Sequence, residues 1–150
     1  MRVVIQRVSK ASVEVKNSIT GKIDRGLLLL IGIEETDGRD DIEWTVKKIS
    51  GMRIFGDQDG KMNLSIQDVG GKVLAVSQFT LHASTKKGTR PSFIKAARPE
   101  VAEPLYNELC NAFERTLGVK TERGVFGAMM QIDLVNDGPV TILLDTKNKE

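Results

Sequence analysis

The sequence predicts an α+β protein: a curled, antiparallel-rich sheet or open β-barrel with two main helices packed on it. Three observations lead there. Apolar residues alternate or run continuously at strand length through the first third, two well-separated segments place them at helical spacing, and the final part returns to strand-like runs. A chain of 150 residues has the usual size of one domain and can bury a core, so a single domain over 1–150 is expected, with no repeat, linker or low-complexity tract to divide it.

Taken in order, V-V-I at 3–5 leads through Arg7 and Val8 into A-S-V-E-V at 11–15, which predicts meandering strands. The glycine-bracketed G-L-L-L-L-I-G-I at 26–33 is continuously apolar, as a strand covered on both faces must be. After the turn signal T-D-G-R, Ile42, Val46, Ile49 and Met52 recur at helical spacing, predicting a helix over 40–52 capped by Asp40 or Asp41. F-G-D-Q-D-G-K carries some acids of a calcium loop without the remaining ligands or the closing Glu, and reads as a turn.

K-V-L-A-V-S-Q-F-T-L at 72–81 is strand-like throughout: first apolar on both faces, then alternating Ser77, Phe79 and Leu81 against Gln78, Thr80 and His82. A second helix is predicted from Pro99 to Leu117, with Val101, Leu105, Leu109, Ala112 and Phe113 on one face, Pro104 in its first turn and Gly118 as its stop. The remainder reads as a hairpin, M-M-Q-I-D-L-V and V-T-I-L-L-D joined by N-D-G-P. Asp-Gly alone would turn the chain, so Pro139 is more punctuation than a hairpin needs.

Composition narrows the class. The chain is 40% hydrophobic and 28% charged, and no apolar run approaches the roughly 20 residues of a membrane span, so a soluble globular protein is expected. M-R-V-V-I-Q-R-V lacks the regions of a signal peptide, so the expected location is cytoplasmic. The sole cysteine, Cys110, excludes an internal disulfide and a thiolate zinc site, and reads as a small buried residue. Lys and Arg outnumber Asp and Glu by only 22 to 20, too little to argue for nucleic acid. Their distribution says more: K-K-G-T-R-P-S-F-I-K-A-A-R at 86–98 holds five cations and no acid, either a solvated surface or a phosphate contact.

The catalytic inventory is sparse. His82 is the only histidine, and its odd spacing from Ser77 on a strand would point the two side chains to opposite faces, which disfavours a Ser-His-Asp site. No nucleotide-phosphate loop or zinc-protease helix motif occurs, and neither metal nor cofactor is expected. Two polar interruptions stand out. S-Q-F-T-L at 77–81 is either a strand turning amphipathic near a sheet edge or a strand end whose freed amides bind a carbonyl oxygen or oxyanion. N-D-G-P-V-T at 136–141 is either a plain hairpin loop or a segment held out for a purpose.

With the opening M-R-V-V-I-Q-R-V and G-T-R-P-S-F at 88–93, these two segments resemble the D-aminoacyl-tRNA deacylases, also called D-tyrosyl-tRNA deacylases, over essentially the whole chain. The resemblance implies hydrolysis of the ester between a D-amino acid and the terminal ribose of tRNA, by a homodimer with its pockets at the interface and no membrane. It further implies that Ser77, Gln78, Phe79 and Thr80 form the catalytic wall and that Gly138-Pro139, with a cis bond, enters the partner subunit's pocket. Arg7 would fasten the Gly-Pro loop through its carbonyls, and Lys86, Lys87 and Arg90 would meet acceptor-stem phosphates. Met129 and Phe126 belong either to the core or to the pocket wall.

Backbone carbonyls pressed against Cα would reject an L side chain whatever its identity, yet could not easily exclude glycine, so some activity on glycyl-tRNA is expected. The attacking group stays open between Thr80 itself and a water, aided by the ribose 2′-hydroxyl, with the amides near Phe79 and Thr80 holding the oxyanion. Two other classes compete. An RNA-binding barrel without catalysis would need exposed aromatics on its strands, and most of the seven aromatics here fall at apolar-periodic positions. A dimeric small-molecule ester or amide hydrolase is the third.

Overall fold

A computed structural model describes residues 1–150. The sheet is organised around β1 (Arg2–Val15), whose apolar positions fall in two sets: Val3 and Ile5 face one core, and Val8, Ala11 and Val13 face another. Ser9 is an extra residue between the pairs Val8↔Asn136 and Lys10↔Val135. Because side chains alternate strictly along a strand, one inserted residue exchanges the faces, so odd-numbered positions point to different cores before and after the bulge. One strand therefore serves two layers.

Lys16 and Asn17, with φ of 48° and 63°, turn β1 into β2 (Ser18–Ile23), and Val15 pairs with Ser18 across this two-residue loop. Both residues lie in the left-handed region, which suits the twist of a tight hairpin. β3 (Gly26–Gly32) does not continue a meander as expected. It returns to pair Arg2 through Val8 of β1, so β2 and β3 lie end to end along one edge of that long strand. Next come β6 (Lys72–Ser77), parallel to β3, and the short β7 (Glu122–Arg123), parallel to β6. β8 (Gln131–Asp145) pairs antiparallel with β1 on its opposite edge, which makes the sheet mixed and antiparallel-rich.

The sheet curls until β2 meets β7. A Cβ at Gly21 would lie 2.7 Å from the Arg123 carbonyl oxygen and 2.8 Å from a Leu74 methyl, so only glycine allows this closure. Inside the curl Val8, Val13, Ile23, Leu28, Leu74 and Val76 form the smaller core. Leu27, Leu29 and Ile31 point the other way, toward the helices, so β3 is covered on both faces as its unbroken apolar run predicts.

The helices are α1 (Arg39–Gly51) and α2 (Pro99–Leu117). α1 starts at Gly38, not at an aspartate: Asp41, in the third helical position, accepts the Gly38 amide at 3.0 Å and so satisfies the start from inside. α2 buries Ala102, Tyr106, Leu109, Cys110 and Phe113 and ends on Gly118, whose φ of 69° is the left-handed stop that glycine favours. Pro104 sits in the second turn rather than the first, where its missing N–H leaves only the carbonyl of the exposed Glu100 without a helical donor. Burial pushes the Cys110 thiol up to about 11. Between the helices, β4 (Phe55–Gly56) and β5 (Met62–Leu64) form a small hairpin, and the Asp57 carboxylate accepts the amides of Asp59 and Lys61 at its turn.

Two expectations fail in instructive ways. β6 stops at Ser77, and Phe79–His82 is a 3₁₀ turn, so the alternation at 77–82 is not that of a strand. N-D-G-P is no hairpin either. Gln6 pairs with Thr141 and Val8 with Asn136, so β8 keeps its direction and residues 137–140 bulge out opposite Arg7 alone. The long β1 dictates this, since it offers a pairing edge on both sides of the interruption. Asn136 closes the base of the bulge, accepting the Val140 amide at 3.1 Å and donating to the Thr141 hydroxyl at 3.0 Å.

Candidate active site

The last ladder bond of β6 runs from the Gln78 amide to the Ile31 carbonyl, 2.7 Å. The chain then winds into the 3₁₀ turn, closed by Leu81 N–H to the Gln78 carbonyl at 3.3 Å and Ala83 N–H to the Thr80 carbonyl at 3.0 Å. At the open start of such a turn the first amides have no helical acceptor, and here they belong to Phe79 and Thr80. The Gln78 side-chain amide donates to the Thr80 hydroxyl oxygen, so that oxygen is used as an acceptor. No carboxylate or imidazole hydrogen-bonds to it.

Arg2 ties the turn down from behind. Its guanidinium donates at 3.0 Å both to the Leu81 carbonyl and to the Asp145 carboxylate. Burial alone would raise the Asp145 carboxyl, but the Lys147 amide and Arg2 outweigh it and hold the carboxyl below its ordinary value. His82, 2% exposed, closes the turn from within the fold, and neither ring nitrogen has a hydrogen-bond partner. It therefore forms no pair with Ser77.

Ser77, Gln78, Phe79, Phe93, Phe126 and Met129 line a mostly apolar cavity of about 660 Å³, while Thr80, expected on the same wall, does not line it. Met129 is 89% exposed and joins no core cluster, while Phe126 is half-buried with its ring 5.9 Å from Tyr106. Both residues line the cavity. Phe93 and Arg2 are neighbours of the turn that sequence reasoning assigned no role. Both carried a signal, Phe93 standing in the G-T-R-P-S-F segment and Arg2 in the opening M-R-V-V-I-Q-R-V.

Gly138-Pro139 occupies a different place. The peptide between them is cis, Gly138 has a φ of 134°, and a Cβ there would lie 2.8 Å from an Arg7 terminal nitrogen and 3.0 Å from the Val140 nitrogen. Arg7 donates to the Asp137 carbonyl of the bulge at 2.9 Å and also to the Ile54 carbonyl. A second cavity of about 470 Å³ lies beside them, lined by Arg7, Arg25, Phe55, Gly138 and Pro139. Gly138 and Pro139 do not line the first cavity. Arg2 touches the 3₁₀ turn and Arg7 the bulge, and the Cα atoms of these two residues lie about 17 Å apart along β1.

Lys86, Lys87 and Arg90 lie exposed in the loop 85–91, whose neck is drawn together by reciprocal hydrogen bonds of 2.8 and 2.9 Å between Ser84 and Ser92. No helix is long and apolar enough to cross a membrane.

A curled barrel with a largely apolar cleft beside a strand end with two open amides suits a class of protein: one able to bind and polarise a carbonyl without a nucleophile–base pair. Sequence comparison places it more closely. Residues 4–145 match the family model of D-Tyr-tRNA(Tyr) deacylase. The chain is 58% identical over 150 residues to the D-aminoacyl-tRNA deacylase of Porphyromonas gingivalis and 57% identical to that of Bacteroides thetaiotaomicron, covering the whole of each. The solved structure of a c-Myc DNA Unwinding Element Binding Protein matches with a TM-score of 0.91 and 40% identity, over 97% of this chain and 99% of that one. The chain belongs to the D-Tyr-tRNA(Tyr) deacylase family, a family of hydrolases.

Proposed function

We propose that the protein hydrolyses the ester of D-aminoacyl-tRNA, releasing the D-amino acid and tRNA, with the 3₁₀ turn at 78–82 as its reaction centre. The carrying observation is the pair of amides of Phe79 and Thr80 at the open start of that turn, where Phe79 lines the cavity and Thr80 follows it in the chain. An ester carbonyl seated there accepts from both, and the same bonds strengthen as charge develops on its oxygen. Each such donor is worth about 3 kcal/mol at the transition state. An aminoacyl ester is already activated, so positioning and charge stabilisation carry much of the acceleration. Thr80 lacks a base beside its hydroxyl, which favours attack by water, aided by the ribose 2′-hydroxyl, over attack by Thr80.

Selection against L-substrates falls to Gly138-Pro139 of a second copy in a homodimer. Two observations support this reading. Within one chain Gly138 and Pro139 do not line the cavity beside the 3₁₀ turn, and the β1 residues that hold the bulge and the turn, Arg7 and Arg2, lie about 17 Å apart along the strand. The outer edge of β8 is unpaired, and Leu134, Val135 and Leu143 are exposed on that strand, a template suited to a symmetric partner. Backbone atoms pressed on Cα reject L side chains of any kind and leave glycine tolerated. Lys86, Lys87 and Arg90 then meet the acceptor-stem phosphates at the cavity's outer side.

The test compares release of amino acid from D-, L- and glycyl-tRNA carrying the same tRNA body. Release from the D-form and, more slowly, from the glycyl form with the L-form intact is expected. Equal hydrolysis of D and L esters would overturn the chirality filter, and no hydrolysis of either would overturn the reading as a whole. Light scattering reads the dimer independently.

A further inference from the structure

The cationic loop and the reaction centre are joined by one aromatic contact. Phe93, at the neck of the loop, sets its ring 5.1 Å from that of Phe79 at an interplanar angle of 75°, an edge-to-face pair. Phe79 is the first residue of the 3₁₀ turn and supplies one of its two open amides. The two rings are 54% and 37% exposed, so the pair does not belong to the core. It is nevertheless anchored at both ends: the Ser84–Ser92 bonds fix the residue before Phe93, and the Ala97 amide binds the Ile33 carbonyl at 2.9 Å just beyond it.

We infer that Phe93 is a positioning residue that couples engagement of the acceptor stem by the cationic loop to the alignment of the Phe79 and Thr80 amides. This rests on the deacylase reading above. The loop tip carries Lys86, Lys87 and Arg90, and its neck leads directly into Phe93, whose ring meets that of Phe79 edge to face, so phosphate contact at the tip bears on the turn through this pair. Two sites that bias one shared element are energetically coupled, and the turn is that element. A free amino acid ester lacks phosphates and makes no such contact. The tRNA body thus raises turnover, in addition to tightening binding.

The experiment measures kcat and KM for D-aminoacyl-tRNA and for the minimal ester D-aminoacyl-adenosine, in wild type, Phe93→Leu and Phe93→Tyr. The wild type is expected to show a higher kcat on the tRNA than on the minimal ester. In Phe93→Leu this kcat advantage shrinks roughly two- to tenfold, the range an aromatic pair can carry, and in Phe93→Tyr, which keeps the ring edge, it returns. Melting curves of both variants confirm folding. An advantage unchanged in Phe93→Leu, a change confined to KM, or a wild type with no kcat advantage would each overturn the coupling. A wild type inactive on both esters would instead sink the deacylase reading, and the inference with it.

Discussion

Replacing Gly138 by alanine tests the bulge as a working part rather than a decoration. A side chain at φ of 134° is held outside the conformations open to L-residues, at a cost on the order of 1–3 kcal/mol. The new Cβ would also sit 2.8 Å from the Arg7 guanidinium and 3.0 Å from the Val140 backbone nitrogen. The guanidinium could swing away only by giving up its bonds to the Asp137 and Ile54 carbonyls, and the backbone nitrogen cannot yield without reshaping the bulge. For a protein of this size the strain lowers the melting temperature by roughly 2–12 °C. Gly118→Ala is the control, because its φ of 69° carries comparable strain with nothing within 4 Å and it caps a helix away from both cavities. Both variants are expected to melt lower, but only Gly138→Ala is expected to lose discrimination between D- and L-aminoacyl-tRNA, read as the ratio of their kcat/KM values. A Gly138→Ala protein with wild-type rate and wild-type discrimination would refute the placement of this bulge at the substrate.

Three further outcomes follow from the same geometry. Thr80→Ala should slow hydrolysis by at most about a hundredfold while leaving it measurable, since the amides remain; activity at background with an unchanged melting curve would make Thr80 the attacking group. Neutralising Lys86, Lys87 and Arg90 together should lower the slope of log affinity for tRNA against log salt by roughly two, and an unchanged slope would remove the loop from the phosphate interface. Stability should fall as pH drops below about 4. Asp145 is held low by the Lys147 amide and Arg2 against its burial, and Asp41 by Thr146, Lys147 and Gly38 against its own. A carboxylate depressed by folding adds stability that is present above its unfolded value and is lost as pH falls through the folded one. Asp145→Asn should melt lower at neutral pH with a shallower acid slope, and a slope equal to wild type would contradict the assignment.

Much of the scaffold was legible in the residues. The unbroken apolar run at 26–33 specifies a strand buried twice over, and the spacing from Pro99 to Gly118 specifies α2 within its observed bounds, because burial on two faces and on one helical stripe leave different periodicities. The candidate site stood out as two polar interruptions, S-Q-F-T-L and N-D-G-P-V-T, although their local shapes were not legible. Alternating residues at 77–82 resemble a strand, but with β6 ending at Ser77 no ladder partner remains to hold them extended, and they wind into a 3₁₀ turn. Pro104 and the Asp caps erred by less than a turn, as helix starts do when a neighbouring glycine and an internal carboxylate share the capping.

By itself the sequence determined the two helices, the long apolar strands and the shortage of histidine and cysteine, since residue type and spacing carry propensity, burial pattern and available functional groups. Tertiary structure alone decided that N-D-G-P interrupts a continuous strand instead of reversing it, because β1 offers a pairing edge beyond the interruption and a local pattern cannot see that edge. It also decided that Arg2 meets the 3₁₀ turn and that Phe93 meets Phe79, through contacts between residues 79 and 14 positions apart. Such contacts exist only once the sheet has curled, for neither their partners nor their angles are written in the periodicity of any one segment.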